Sequence, residues 1–348
     1  MEKFLISVVV LILFLSCGTY RAVPVSDSVP ISHANEIKEL SASLEKVVNA
    51  GGNHYRKKAI VSQLEEFGLK EHTVSERIDW LSLQKNVVVN IQGKSDSLIY
   101  VVAHYDKTDI NPLKFVSVLL NGLLDPLISW SYTSQGAIDN ATGVSVALQL
   151  SKSLSKKENH YSYRILFSGS EESGLRGSRS HVARLKPEEF NLIKFVINID
   201  VVGVKDKPNC VYMLSDDDLE KEALKIAEQA HLELGLGSMP AGASSDYLPF
   251  KSMSLGLDFA RSFAYNLTGS FLPQRSYFTQ KKSTKVVNFS SCGFLDVGDT
   301  VGGFTLLPLG AIHGFRDNIK KVDPIKLFEM YQLLKFFIQE NEKLAGAD

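Results

Sequence analysis

With 348 residues, 44% hydrophobic and 22% charged, the chain can bury the core of one large or two modest globular domains. That composition excludes a disordered or fibrous protein. A formal net charge of -1 gives no electrostatic reason to expect a nucleic-acid partner, since such binding needs a basic face.

The chain opens with MEKFLISVVVLILFLSCGTY, in which Lys3 precedes an apolar run from Phe4 to Leu15. The run is short for a membrane span and right for the core of a signal peptide, so export is expected. It ends in Phe14-Leu-Ser-Cys17-Gly, which resembles the lipobox of bacterial lipoproteins, although Phe14 stands where leucine is usual. That resemblance implies a leader over residues 1–17, a lipid anchor on Cys17 and a place in the bacterial cell envelope. An ordinary cleaved signal peptide and an uncleaved anchor fit the same run. Residues 18–33, with two prolines among small polar residues, have the composition of a tether, and the folded domain is expected over 34–348.

From Asn35 to Leu69, apolar residues at three- and four-residue spacing predict two helices broken at Gly51-Gly52. Strands are expected at residues 87–91, 98–103, 164–167, 195–199 and 254–259. Helices are expected at 141–154, 217–234 and 324–344, the last begun by a proline in its first turn. Strands spaced by helices argue for an α/β sandwich around a largely parallel sheet, where ligands gather at the carboxyl ends of strands. Two segments interrupt the rhythm and read as insertions, one at about 110–135 and one at about 261–309. Loops this long are usually lids or binding walls, though the first also fits an extra pair of core helices. The second carries aromatic residues, Phe289 and Phe294 among them, that would line a cleft or dip into a membrane held nearby.

Each expected strand is followed by acids or histidines. Ala103 leads into His104-Tyr-Asp106, Phe167 to Glu171-Glu172, and Ile199 to Asp200; Asp139 opens a helix, and His313 and Asp317 come late. Adjacent glutamates raise each other's pKa unless a cation or solvent offsets them. Imidazole nitrogen and carboxylate oxygen together suit zinc. One glutamate can then ligate while its neighbour, pointing elsewhere along a turning chain, acts as a base. Cys210 and Cys292 are too far apart in sequence for a zinc ribbon; they pair, or they are two small buried apolar side chains. The other six histidines lack partner acids in this pattern and default to structural or exposed roles.

The set HYD, GAIDNATG, SGSEESGLRGS, NID and IHGFRD resembles the M28 family of zinc metallopeptidases over about residues 35–345. The resemblance implies a three-layer α/β/α sandwich around a mixed, largely parallel sheet, with two Zn2+ per chain. Asp139 would bridge the ions, His104 and Asp200 completing one site and Glu172 and His313 the other. Glu171 would be the general base toward a metal-activated water, and Asp106 would accept the second imidazole N–H of His104 and fix its tautomer. The implied activity is that of an aminopeptidase acting on peptides. Glutaminyl cyclases, which resemble this family but retain one zinc, are the second enzyme reading, and a non-catalytic envelope binder is the third. Asp246-Tyr247 in SSDYLPF resembles a segment near the family's site, but a helix N-cap at Ser244 or Ser245 explains it nearly as well. Asp317 either orients the loop of His313 or is a plain surface residue.

Overall fold

The strand β4 (Leu98–His104) is buried at every position. Its Ile99, Val101 and Ala103 enter one core while Leu98, Tyr100 and Val102 enter another. Burial on both faces is why this segment reads as a continuous apolar run instead of an alternating one. A computed structural model describes residues 20–21, 33–79, 82–109, 116, 131, 133–214, 217–238, 245–251, 283–294 and 310–345. The leader over 1–17, the expected strand at 254–259 and most of the two interrupting segments lie outside the described residues.

The other strands are β1 (Tyr20–Arg21), β2 (Thr73–Arg77), β3 (Lys85–Ile91), β5 (Ser162–Ser168), β6 (Ile193–Ile199), β7 (Asn209–Met213), β8 (Gly235–Ser238) and β9 (Lys285–Ser291). They form one sheet in the order β1-β8-β7-β9-β6-β4-β5-β3-β2. The four central strands β9, β6, β4 and β5 run parallel. Antiparallel pairs flank them, β3 with β5 and β2 on one side and β7 with β9 on the other. The sheet is therefore mixed, and its parallel part is the centre. All four central strands end at one edge, where the polar residues gather.

Helices cover both faces. The larger core lies against α1 (Ala34–Asn49), α2 (Asn53–Glu66), α3 (Thr142–Leu154), α6 (Asp217–Gln229) and α8 (Pro324–Ala345). The smaller lies under α4 (Arg176–Arg184), α5 (Pro187–Asn191) and α7 (Leu248–Lys251). This is the expected three-layer sandwich. Among the described residues no helix is long and apolar enough to cross a membrane.

Several expectations need correction. The segment at 261–309 contains β9, a strand between β6 and β7 whose Val286, Val287 and Phe289 are fully buried. Phe289 is thus core and not a cleft wall. The helix expected to run to Leu234 stops at Gln229. His231 adopts a left-handed φ of 54°, its N–H donates to the Glu228 carbonyl, and the Leu232 N–H donates to that of Ala227. That reciprocal pair is a Schellman cap, which caps the last carbonyls and turns the chain into β8. Within the supposed tether, Tyr20–Arg21 pair with Leu236 and Gly237 as a two-residue edge strand.

Cys210 in β7 and Cys292 just beyond β9 form a disulfide with Cα atoms 5.1 Å apart, the two cysteines lying 82 positions apart in sequence. Closing so long a loop restricts the unfolded chain. Replacing Cys292 by serine is therefore expected to lower the unfolding free energy by about 4–5 kcal/mol on loop entropy alone. Denaturant titration with and without reductant checks this. A wild-type midpoint that ignores reductant, together with an unshifted Cys292→Ser variant, would remove the cross-link from the stability of the native protein.

Candidate metal centre

The carboxyl edge of the central strands sets the positions of the polar residues. His104 is the last residue of β4, and Asp200 follows directly on β6, its N–H donating to the Phe289 carbonyl at 3.0 Å as an extension of the β6–β9 ladder. Glu171 and Glu172 sit on the turn between β5 and α4. That turn closes through the Gly174 and Leu175 amides, which both donate to the Glu171 carbonyl at 2.9 and 2.7 Å. Asp139 lies on the turn of residues Ala137–Ala141 that leads into α3, and His313 on the loop before α8 with a left-handed φ of 56°.

Five side chains from these places meet. His104 Nε2 lies 3.0 Å from Asp139 Oδ1 and 3.2 Å from Asp200 Oδ1. His313 Nε2 lies 2.9 Å from Asp139 Oδ2 and 2.9 Å from Glu172 Oε1. Asp139 thus turns one oxygen to each imidazole. The donor atoms of His104, Asp139 and Asp200 fall within 4.8 Å of one another, and so do those of Asp139, Glu172 and His313. Glu171 belongs to neither triad. His104, Asp139 and Glu172 are buried, whereas Glu171, Asp200 and His313 are partly exposed, which leaves the centre open on one side.

So many acids at one point need positive charge. Burial works against an ionised Asp139, but hydrogen bonds from His104 and His313 outweigh it and hold its carboxyl far below the usual range. Burial likewise works against a charged His104, yet Glu171 and Asp200 draw its pKa well above the ordinary imidazole value. Glu171 is pushed well above the usual carboxylate range, first by burial, with His104 opposing and Glu172, Asp246 and Asp200 adding. The donors are nitrogen and oxygen only, arranged as two triads with one carboxylate in common. That chemistry and count fit a pair of zinc ions, each with room for a further ligand.

Asp106 meets His104 through both its side chain and its main chain. His104 Nδ1 faces the Asp106 main-chain oxygen at 3.2 Å, while the nearer carboxylate oxygen lies at 3.6 Å. The carboxylate also accepts from the Glu171 N–H at 3.0 Å and the Glu172 N–H at 3.3 Å. The chain turns after His104, so the carbonyl meets the ring and the side chain reaches across to the neighbouring turn. The Asp106 carboxylate thus faces His104 Nδ1 as expected, and its main-chain oxygen adds a closer contact to the same nitrogen.

Two acids left undecided by the sequence are buried here. Asp317 Oδ1 accepts from the Ile138 N–H at 2.7 Å and the Asp139 N–H at 3.4 Å, and its Oδ2 from the Ser134 hydroxyl at 2.5 Å. It ties the loop of His313 to the turn of Asp139. Asp246 is fully buried and accepts a hydrogen bond from the Ser168 hydroxyl at the end of β5. Burial, opposed by His104 and Ser168, pushes its pKa up to about 6. Its signal in the sequence was the SSDYLPF segment, which a helix cap explained nearly as well.

The model of peptidase family M28 matches residues 86–270. Aminopeptidase YwaD of Bacillus subtilis is 28% identical over 160 residues, 45% of this chain and 30% of that protein, so the match spans under a third of the relative's length. A leucine aminopeptidase precursor from Bacteroides thetaiotaomicron has a similar fold, with a TM-score of 0.59 and 16% identity over 87% of this chain and 96% of its own. So does a glutaminyl cyclase from an Acidobacteriales bacterium, with a TM-score of 0.60 and 14% identity over 91% and 99%.

Removing the Asp106 carboxylate strands two amide donors of the glutamate turn. Asp106→Ala is expected to lose on the order of 1–3 kcal/mol of stability, with Asp106→Asn in between because its carbonyl still accepts one bond. Denaturant unfolding of the three proteins measures the series. Equal stability of wild type and the alanine variant would mean that the turn holds its shape without this acceptor.

Proposed function

The chain belongs to peptidase family M28, and from that membership and the geometry of its edge we propose that it is a zinc-dependent exopeptidase that removes residues from the free N-termini of peptides. One observation carries the reading. Two donor triads share Asp139, and a further glutamate stands beside them in neither. A site that only stored metal would have no use for that extra carboxylate.

Two zinc ions per chain are proposed, held by His104, Asp139 and Asp200 on one side and by Asp139, Glu172 and His313 on the other. Bound there, zinc would supply acidity to a coordinated water and polarise the scissile carbonyl. The residues of the chain do the rest. Glu171 takes a proton as water attacks the peptide carbonyl and returns it to the leaving amine nitrogen, the work of a positioned general base and acid. Its place is set by the neighbouring Glu172 and by Asp106, which holds both amides of the turn. Asp106 also orients His104 through its main-chain oxygen, and Asp317 holds the two loops that carry Asp139 and His313.

The proposed setting is the bacterial envelope, with the chain exported by its N-terminal leader and held to a membrane through Cys17. The disulfide between Cys210 and Cys292 supports an oxidising compartment, since such cross-links persist outside the cytosol.

In full-length protein, Glu171→Gln is expected to keep the zinc content of wild type while turnover falls about 10²–10⁴-fold. Elemental analysis and cleavage of aminoacyl amides read the two quantities side by side, and full activity in this variant would remove Glu171 from the proton transfer. A second test compares peptides with free and acetylated N-termini, with chelator and with restored zinc. Chelator-sensitive cleavage of the free peptides alone is expected. Ring closure of N-terminal glutamine would point to a cyclase instead, and no conversion of any substrate to a binding protein.

A further inference from the structure

Arg56 is fully buried, which is rare for an arginine unless the surroundings pair it. It lies on the inward face of α2 with Asn53, Ile60 and Leu64. Its Nη1 donates to the Gln135 carbonyl and its Nη2 to the Gly136 carbonyl, both at 3.0 Å. These are consecutive carbonyls in the segment that leads to Asp139. Gly136 has a left-handed φ of 61°, and a Cβ there would lie 2.5 Å from Arg56 Nη1 and 2.6 Å from the Lys107 Cβ. The backbone is therefore pressed onto the guanidinium with no space for a side chain.

The same segment is held from its other side. Asp317 accepts from the Ile138 and Asp139 amides and from the Ser134 hydroxyl, and the Gln135 N–H donates to the Asp317 carbonyl at 2.9 Å. Carbonyls are gripped by Arg56 and amides by Asp317. One turn earlier on α2, Asn53 pairs with the Lys107 backbone in both directions, its Oδ1 accepting at 3.1 Å and its Nδ2 donating at 3.3 Å. The start of α2 thus reaches the chain just after Asp106 and the chain just before Asp139. Burial lowers the pKa of Arg56 to about 10 against the pull of Asp317, Asp106, Asp139 and Glu172, so the guanidinium stays charged at neutral pH.

We propose that Arg56 is a positioning residue of the metal centre, whose two-pronged grip on the Gln135 and Gly136 carbonyls fixes the turn that aims one oxygen of Asp139 at each triad. Charge and geometry act in opposite directions here. A buried cation near the centre repels metal, whereas a preformed turn favours it. Lysine separates the two effects, because it keeps the charge and loses the planar fork. The inference rests on the zinc reading above.

The test titrates chelator-stripped, full-length wild type and Arg56→Lys with Zn2+ against a chromophoric chelator, and follows the visible spectrum of the Co2+-loaded proteins. The expected result is a folded variant whose zinc affinity falls about 10- to 100-fold, the range for partners that orient ligands, with an altered Co2+ spectrum. Affinity and spectrum equal to wild type would overturn the proposal. If the stripped lysine variant does not fold, Arg56→Gln takes its place. That variant loses the charge as well as the fork, so there the Co2+ spectrum decides, and a wild-type spectrum is equally fatal. Wild-type protein that takes up no zinc would end the zinc reading itself, and this inference with it, so the two failures are told apart.

Discussion

The structure turns on one carboxylate, Asp139, with an imidazole on each of its oxygens. A buried acid in that position is stable only if positive charge meets both oxygens. Every other feature of the edge serves that condition. His104 comes from a central strand and His313 from a loop more than two hundred residues away in sequence, so the fold must bring two distant segments to within one hydrogen bond of the same side chain. The crowding of Glu171, Glu172, Asp200 and Asp246 around them would be unfavourable in any protein that had no use for cations at this point.

Much of the centre was legible in the sequence because each donor stands in a short polar motif directly after an apolar run. Strand ends at a carboxyl edge are local features, and a sandwich with parallel central strands collects them. What escaped was non-local. β9 carries Asn288, Ser290 and Ser291 among its apolar residues, so it resembled a loop until its neighbours β6 and β7 buried it. Asn288 is satisfied there by the Asn198 side chain at 2.7 Å, a partner ninety residues earlier that no pattern in either segment announces. The end of α6 was misjudged because His231 does what glycine usually does.

Arg56 escaped, and the disulfide stayed one of two alternatives, for a related reason. Arg56 stands four residues before Ile60 and eight before Leu64, on the apolar side of its helix, and that spacing was its one sequence signal. An arginine at such a place ordinarily snorkels to water along its aliphatic stem. Here it stays inside because two backbone carbonyls accept its hydrogen bonds and Asp317 supplies opposite charge. The pairing of Cys210 with Cys292 depends on β7 lying beside β9, and without either strand in view the sequence could raise the cross-link but not choose it.

The two triads are not built alike. His104 and Asp200 extend β4 and β6 directly and inherit the rigidity of the sheet. Glu172 and His313 sit on turns, and Asp139 joins the two sets from a third. Side chains on turns hold catalytic geometry only when their supports are themselves fixed. The supports are Asp106, which starts from the end of β4 and holds the glutamate turn, and Asp317 with Arg56, which clamp the Asp139 turn between a loop and α2. Each support can be traced back to an element of the sandwich within one or two hydrogen bonds. A loop-borne centre of this kind can therefore be nearly as well ordered as a strand-borne one, provided the buried polar groups beneath it are paired, as the two Nη of Arg56 are and its Nε is not.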